Sequence, residues 1–117
     1  MKKILLIISA LGFLYSCASD NYEEYYLDEN DFCATANISF SNDVQPVIDA
    51  NCAVAGCHVP GNGIPVWDSY ETISAYADRI AERTLNGEMP PAFSGYSLSL
   101  DEIQEIQCWV ESGAPNN

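Results

Sequence analysis

The sequence predicts an all-α domain of three to four short helices, and three observations lead to this fold class. Three stretches repeat apolar residues at the spacing of a helical face. No stretch shows a strand-like alternation that competes with them. The compact part, residues 32–117, contains only about 85 residues, and burial alone stabilises a chain of that size marginally. We therefore expect a disulfide, a metal or a large apolar cofactor to complete the core.

The first predicted helix lies near residues 41–51. Pro46 falls in its first turn, where the missing backbone N–H removes no helical hydrogen bond. Asp43 or Ser41 is the expected N-cap, since either side chain can accept a hydrogen bond from the first backbone N–H groups. One face carries the residues expected to enter the core, namely Val44, Val47, Ile48 and Cys52.

The second predicted helix covers residues 69–86, with two shorter helices that break near Tyr76 as the alternative. Gly87 follows it and is typical of the position after a helix. The expected apolar face consists of Tyr70, Ile73, Ser74, Ala77, Ile80, Ala81 and Leu85.

The third predicted helix begins at a capping box, in which Ser99 accepts from the backbone N–H of Glu102 and Glu102 reaches back. Leu98 and Ile103 are placed to form a hydrophobic staple around it. Gly113 ends the helix. The expected apolar face consists of Leu100, Ile103, Ile106 and Val110, with Trp109 at its flank.

Residues 1–16 have the pattern of a secretory signal peptide, because Lys2 and Lys3 precede an apolar run that is too short to span a bilayer. The segment Leu14-Tyr15-Ser16-Cys17 resembles the lipobox of bacterial lipoproteins, in which the signal is cleaved before a cysteine that carries lipid. The alternative is an ordinary signal peptide followed by an unmodified cysteine.

Residues 17–31 are expected to form the lipid anchor and an acidic flexible tether, because they show no helical or strand period. The domain then covers residues 32–117. Export of the chain would place it in the cell envelope, lipid-anchored on the periplasmic side or the outer surface. Its cysteines would be oxidised or covalently occupied there.

The chain is strongly acidic, with 4 Lys and Arg against 17 Asp and Glu and a net charge of −13. Removal of the signal peptide takes away Lys2 and Lys3, which leaves Arg79 and Arg83 as the only basic side chains. Such a surface repels phosphate backbones and excludes nucleic acid as a partner. It favours a partner protein with a basic docking patch.

The segment Cys52-Ala-Val-Ala-Gly-Cys57-His58 resembles the haem-attachment motif of c-type cytochromes. Four residues separate the cysteines instead of the common two, a known variant of the motif. The resemblance implies that Cys52 and Cys57 hold one haem covalently as thioethers and that His58 is the proximal iron ligand.

Met89 is the expected second axial ligand. His58 is the only histidine, so one chain cannot supply two histidine ligands, and Met89 is the only methionine left after signal removal. It precedes Pro90 and Pro91, and the distal methionine of class I mono-haem cytochromes lies in a similar loop. The resemblance therefore implies iron bound by His58 and Met89.

Two further segments are similar to the opening and closing helices of small membrane-anchored bacterial cytochromes c, namely residues 40–47 and 109–115. The resemblance covers residues 39–117 but not the tether. It implies a cytochrome c-like domain around one haem, which carries single electrons to or from a redox partner and is not an enzyme.

Cys33 and Cys108 remain as a pair once the haem takes Cys52 and Cys57. We expect them to form a disulfide that stabilises the fold by about 4 kcal/mol through its long loop. The typical family core lacks this pair, and without haem the four cysteines allow three connectivities.

Several supporting roles have two candidates each. Arg79 or Arg83 pairs with a haem propionate, or forms a surface ion pair with Glu82 or Asp78. The carbonyl that accepts from His58 Nδ1 belongs to Pro65 or Pro60. Two aromatic residues either line the haem edge or pack in the core, namely Trp67 and Tyr70.

Three alternatives to haem electron transfer stay open. Cys52 and Cys57 could form a disulfide in a lipoprotein that binds a partner without cofactor. A zinc site would need Cys33 or Cys108 as a further ligand. If Met89 only fills the core, an open iron face would indicate a haem peroxidase or sensor.

Overall fold

The computed structural model describes residues 32–117, and the predicted signal peptide, lipidated Cys17 and tether lie outside the described residues. The domain is all-α, and no strand occurs between residues 32 and 117. Within that range no helix has the length and apolar character needed to cross a membrane. The elements in chain order are α1 (Phe32–Thr35), a π-helical turn (Phe40–Val44), α2 (Gln45–Asn51), α3 (Tyr70–Ser74), α4 (Ala77–Leu85), a 3₁₀ turn (Ala92–Ser94) and α5 (Leu100–Glu111).

The first predicted helix is capped by Ser39, so the prediction of Ser41 or Asp43 as the N-cap is wrong. Ser39 Oγ accepts a hydrogen bond at 3.1 Å from the backbone N–H three residues later. Asp43 Oδ2 in turn accepts from the Ser39 N–H at 2.7 Å. Phe40 is buried and already helical, which moves the cap ahead of the apolar residues used to predict it.

The second predicted helix is divided into α3 and α4 by a break at Ala75 and Tyr76, as its alternative predicted. Ser69 begins α3 in a capping box with Thr72, whereas Tyr76 begins α4 without a side-chain hydrogen bond. Gly87 follows α4 with φ +67°, a backbone conformation that favours glycine.

Helix α5 confirms the predicted capping box and buries Ile103 and Ile106 as predicted, but its buried face is shifted from the predicted one. The Ser99 N–H donates to Glu102 Oε2 at 2.7 Å, and the Glu102 N–H donates to Ser99 Oγ at 3.3 Å. Leu100 is 41% exposed, whereas Trp109 is fully buried. The predicted face is therefore wrong at Leu100 and at Trp109, because burying the large indole and the Cys108 sulfur rotates the helix towards them. Its buried residues are Ile103, Ile106, Cys108 and Trp109.

Aromatic rings join the two ends of the domain. The Phe40 ring lies 5.5 Å from that of Trp109 and 5.1 Å from that of Tyr70, measured between centroids. The Trp109 Nε1–H donates to the Pro115 carbonyl at 2.9 Å, and the Phe40 N–H donates to Asn117 Oδ1 at 2.7 Å. The residues after α5 thus close over the π-helical turn.

The predicted disulfide between Cys33 and Cys108 is confirmed. It joins α1 to α5, with 5.0 Å between the Cα atoms and a sequence separation of 75. Helix α1 contains no buried residue, and the disulfide links it directly to α5. Cys52 and Cys57 are free and are not joined to each other.

Candidate functional site

One pocket brings together residues that are distant in the sequence. It lies between the loop that follows α2, helix α4 and the segment after α4, and its volume is about 300 Å³. Most of its lining is apolar. Three of the four predicted cofactor-binding residues line it, namely Cys52, His58 and Met89.

The cysteine motif forms a closed turn at the end of α2. Cys52 is the C-cap of that helix and is buried, and its carbonyl accepts from the His58 backbone N–H at 3.0 Å. Cys57 donates its N–H to the Val54 carbonyl at 2.9 Å, and Gly56 between them has φ +85°. Cys57 is half-buried and is not among the residues that line the pocket. The turn therefore places Cys52 and His58 at the pocket and Cys57 beside it.

The Cys52 thiol is held in its protonated form. Burial raises its pKa to about 12, and Coulombic repulsion from Cys57 and Glu102 adds to that effect. A thiol with this pKa is not a nucleophile at neutral pH, since the thiolate is the reactive form. Cys52 therefore lacks the character of a reactive redox cysteine in the chain without cofactor.

The His58 ring has one nitrogen engaged and one available. Nδ1 lies 2.8 Å from the Pro65 carbonyl oxygen, which confirms Pro65 over Pro60 as the predicted partner. A carbonyl only accepts, so this bond assigns the proton to Nδ1. The lone pair of Nε2 is then available to a metal, as in histidine ligands that are oriented by a carbonyl.

Trp67 stacks on His58. The two ring centroids are 3.5 Å apart and the planes are within 3° of parallel. Trp67 is 7% exposed, and its Nε1 is buried with no hydrogen-bond partner, which costs about 1–3 kcal/mol. Tyr70 packs in the core, the second of the two roles predicted for it. Its ring contacts Phe40, and its hydroxyl donates a hydrogen bond to the Ala114 carbonyl at 2.8 Å.

Met89 is placed by the end of helix α4. The backbone N–H groups of Glu88 and Met89 both donate to the Arg83 carbonyl, at 2.8 and 3.1 Å. Gly87 has the left-handed backbone conformation that turns Glu88 and Met89 back towards the Arg83 carbonyl. The half-buried Met89 side chain thus becomes part of the pocket wall.

Two arginines add positive charge to the pocket. Arg79 and Arg83 both line it. Arg83 Nη1 lies 3.8 Å from Glu88 Oε2, so for Arg83 the predicted ion pair with Glu82 or Asp78 is wrong. The chain reverses at Gly87 and brings Glu88 close to Arg83 in the last turn of α4. The spacing of charged residues in the sequence did not indicate this contact. Both side chains are well exposed to solvent, so this ion pair contributes little to stability.

Four residues that line the pocket were not predicted from the sequence to do so: Ile64, Tyr76, Ile80 and Thr84. Tyr76, Ile80 and Thr84 lie with Arg79 and Arg83 at positions i, i+3, i+4, i+7 and i+8, which places all five on one side of α4 and its N-cap. That spacing was a usable signal for a second helical face. Ile64 lies in the loop after the motif and had no such signal.

The zinc alternative has no site in this fold. Cys33 and Cys108 are the additional ligands it needs, and both are in the disulfide. Among residues 32–117, no three His, Cys, Asp or Glu side chains are grouped to hold a metal ion.

No protein-family model, curated protein or solved structure matches this chain.

Proposed function

We propose that this chain is a lipid-anchored mono-haem c-type cytochrome that carries single electrons and is not an enzyme. One observation carries the proposal. Cys52, His58 and Met89 line a single pocket, although Met89 belongs to a segment that follows two further helices. The resemblance of the sequence motif assigns haem-binding roles to these same three residues.

The pocket suits haem in the polarity of its lining and in its charge. Its lining is mostly apolar, as a porphyrin ring requires, and Arg79 and Arg83 are placed beside it for the propionates. His58 offers a free Nε2, because the Pro65 carbonyl engages Nδ1.

Each residue has a defined role in this proposal. Cys52 and Cys57 would hold haem through their sulfur atoms, while His58 and Met89 would bind its iron. When bound, haem supplies a metal that gains or loses one electron, and a thioether ligand raises its reduction potential. Ile80 and Trp67, both buried, would give the haem apolar contacts in the pocket wall.

The first test is covalent haem in protein exported alongside a haem-ligation system. We expect a visible haem spectrum that resists acid-acetone extraction and a protein mass increased by one haem. Cys52→Ser/Cys57→Ser should lose both. The matched control, Cys33→Ser/Cys108→Ser, removes the same number of sulfur atoms and should keep both. A folded but colourless wild-type protein would refute the proposal and favour a cofactor-free binding module.

The second test concerns Met89 as an iron ligand. Met89→Leu keeps an apolar side chain of similar volume but removes the sulfur. We expect the visible spectrum to change and the reduction potential to fall, equally in Met89→Leu and Met89→Ala. An unchanged spectrum in Met89→Leu would make Met89 a packing residue and favour a peroxidase or sensor with an open iron face.

The acidic surface is proposed to dock on a basic patch of a redox partner. With 17 acidic side chains and only two basic ones outside the signal peptide, attraction to such a patch would speed encounter. Electron exchange with that partner should slow as salt is raised from 10 mM to 500 mM, because the ions screen exposed charges. A rate independent of salt would remove electrostatic steering from the proposal.

A further inference from the structure

We infer that Trp67 is a positioning residue that fixes the plane of the His58 ring. The inference rests on the proposed function, since it concerns how His58 is held as an iron ligand. It adds a role for Trp67 beyond lining the pocket, and the geometry of one short segment supplies the reasons.

Residues 65–67 hold His58 at three points. The Pro65 carbonyl oxygen lies 2.8 Å from Nδ1 of the ring. The Trp67 backbone N–H donates to the His58 carbonyl at 3.1 Å. The Trp67 indole then covers the imidazole in parallel at 3.5 Å. Residues 65–67 therefore contact the backbone, one ring nitrogen and one ring face of His58.

The hydrogen bond to Pro65 does not fix the ring by itself. A single bond at Nδ1 sets the tautomer, but the imidazole can still tilt about the line that joins Nδ1 to the oxygen. A parallel indole at contact distance blocks that tilt on one side, because any rotation would drive the ring edge into it. The direction of the Nε2 lone pair lies in the ring plane, so fixing the plane fixes that direction.

Trp67 is rigid enough to act in this way. It is 7% exposed and belongs to the buried core cluster that includes Ile73 and Ile80. Its Nε1 has no hydrogen-bond partner within the chain, so the indole orientation is not set by a bond of its own. Packing against the core on one side and His58 on the other determines where the ring lies.

The stack also has an electrostatic consequence. The face of an indole is electron-rich and attracts positive charge placed over it. An imidazole that binds iron shares more positive charge when the iron is oxidised, and Trp67 then stabilises the oxidised form. Removing the indole should raise the reduction potential and loosen the ring plane, whereas another aromatic ring should preserve part of both effects.

The test compares three haem-loaded full-length variants. Trp67→Leu removes the flat ring, Trp67→Phe keeps one, and Trp109→Phe alters the other tryptophan, which is fully buried but has no ring contact with His58. We expect a raised potential and a broadened low-spin electron paramagnetic resonance signal in Trp67→Leu. Both should return towards wild type in Trp67→Phe. Trp109→Phe should lower the melting temperature and leave both unchanged.

Three results would overturn the inference. One is an unchanged potential and signal in Trp67→Leu, which would leave Trp67 a packing residue only. Another is equal shifts in Trp67→Leu and Trp109→Phe, which would reflect general loss of packing. The third is no rescue in Trp67→Phe. If Trp67→Leu does not fold, Trp67→Met fills the space with a flexible chain and replaces it.

The failure of the proposed function is distinguishable from these results. If wild-type protein binds no haem, the proposed function fails and the stack is tested in the chain without cofactor. Nuclear magnetic resonance should then show the His58 ring protons shielded by the indole, with the shielding lost in Trp67→Leu and kept in Trp109→Phe. Unshielded ring protons in the wild type would overturn the stack itself.

Discussion

At the scale of single residues, Cys52 and Cys57 have different surroundings although they belong to one motif. Cys52 is buried at the end of α2, whereas Cys57 is half-buried in the turn that follows. Burial raises the pKa of Cys52 to about 12, so its thiol stays protonated while the chain is without cofactor. A buried, neutral sulfur is protected from oxidation until something enters the pocket.

The raised pKa of Cys52 predicts that chain made without haem loses stability as pH rises from about 9 to about 12. An unburied thiol has a pKa of 9.0, so in this window the unfolded chain releases a proton that the folded chain retains. Below pH 9 both states keep the proton and the thiol adds no pH dependence. The loss is at most about 1.4 kcal/mol per pH unit.

Urea denaturation at pH 8 and pH 10 checks this prediction. Cys52→Ala removes the titrating thiol and should show a smaller fall in unfolding free energy between the two pH values. Because other groups titrate in both proteins, the difference between the two falls is the quantity to compare. Equal falls in wild type and Cys52→Ala would contradict it.

The sequence predicted some contacts of single residues but not others. The sequence placed Met89 in a loop after Gly87, because glycine is typical of the position that follows a helix. It left the partner of His58 Nδ1 open between Pro65 and Pro60, and the structure selects Pro65. The sequence did not predict that Trp67 stacks on His58. The stack depends on how a long loop folds back, and no period or spacing encodes that path.

At the scale of elements, the helices were easier to predict than the faces they bury. Apolar spacing indicated all three helical stretches, and the capping box located the start of α5. It did not predict that Trp109 is buried and Leu100 exposed. A helix can rotate by part of a turn without changing its period, and the size of one indole with a disulfide beside it decided the rotation.

The capping box of α5 predicts a measurable loss when its serine is replaced. Ser99 Oγ accepts from the Glu102 N–H, and Ser99→Ala leaves that donor without its side-chain partner. We expect the free energy of unfolding to fall by about 1 kcal/mol. Ser97→Ala is the matched control, because Ser97 is an exposed serine two positions earlier and outside the helix.

Thermal or urea unfolding of both variants measures the effect of the cap. The Ser97 variant should stay close to wild type, since exposed positions away from caps and cores tolerate substitution. A loss of the same size in both variants would mean that the segment before α5, and not the cap, is sensitive to change.

At the scale of the whole molecule, the all-α class and the disulfide were predictable but the pocket was not. Cysteine pairing followed from the even number left after the motif took two. The pocket needs the loop after α2, the side of α4 and the residues beyond Gly87 to meet in space. Apolar spacing does not predict contacts between segments that are distant in the sequence. The expected haem ligands, Cys52, His58 and Met89, were the only sequence signal for this pocket.

The disulfide predicts a large effect on global stability. Cys33→Ser/Cys108→Ser opens a loop whose ends have a sequence separation of 75, and the chain-entropy model gives a loss of about 4 kcal/mol. Urea denaturation of the variant and of wild type, each with and without reductant, measures it. Reductant should destabilise wild type and leave the variant unaffected. Wild type that is equally stable in both conditions would mean that the bond adds nothing to the fold.

The same bond decides where a mechanical load would enter the domain. Cys33 follows the last residue of the proposed tether by two positions, and its partner lies in α5, the longest helix of residues 32–117. A force applied to the chain ahead of residue 32 would reach α5 through the disulfide and bypass residues 34–99. In a copy anchored as proposed, such a force would therefore act on α5 and not on the loop that carries His58.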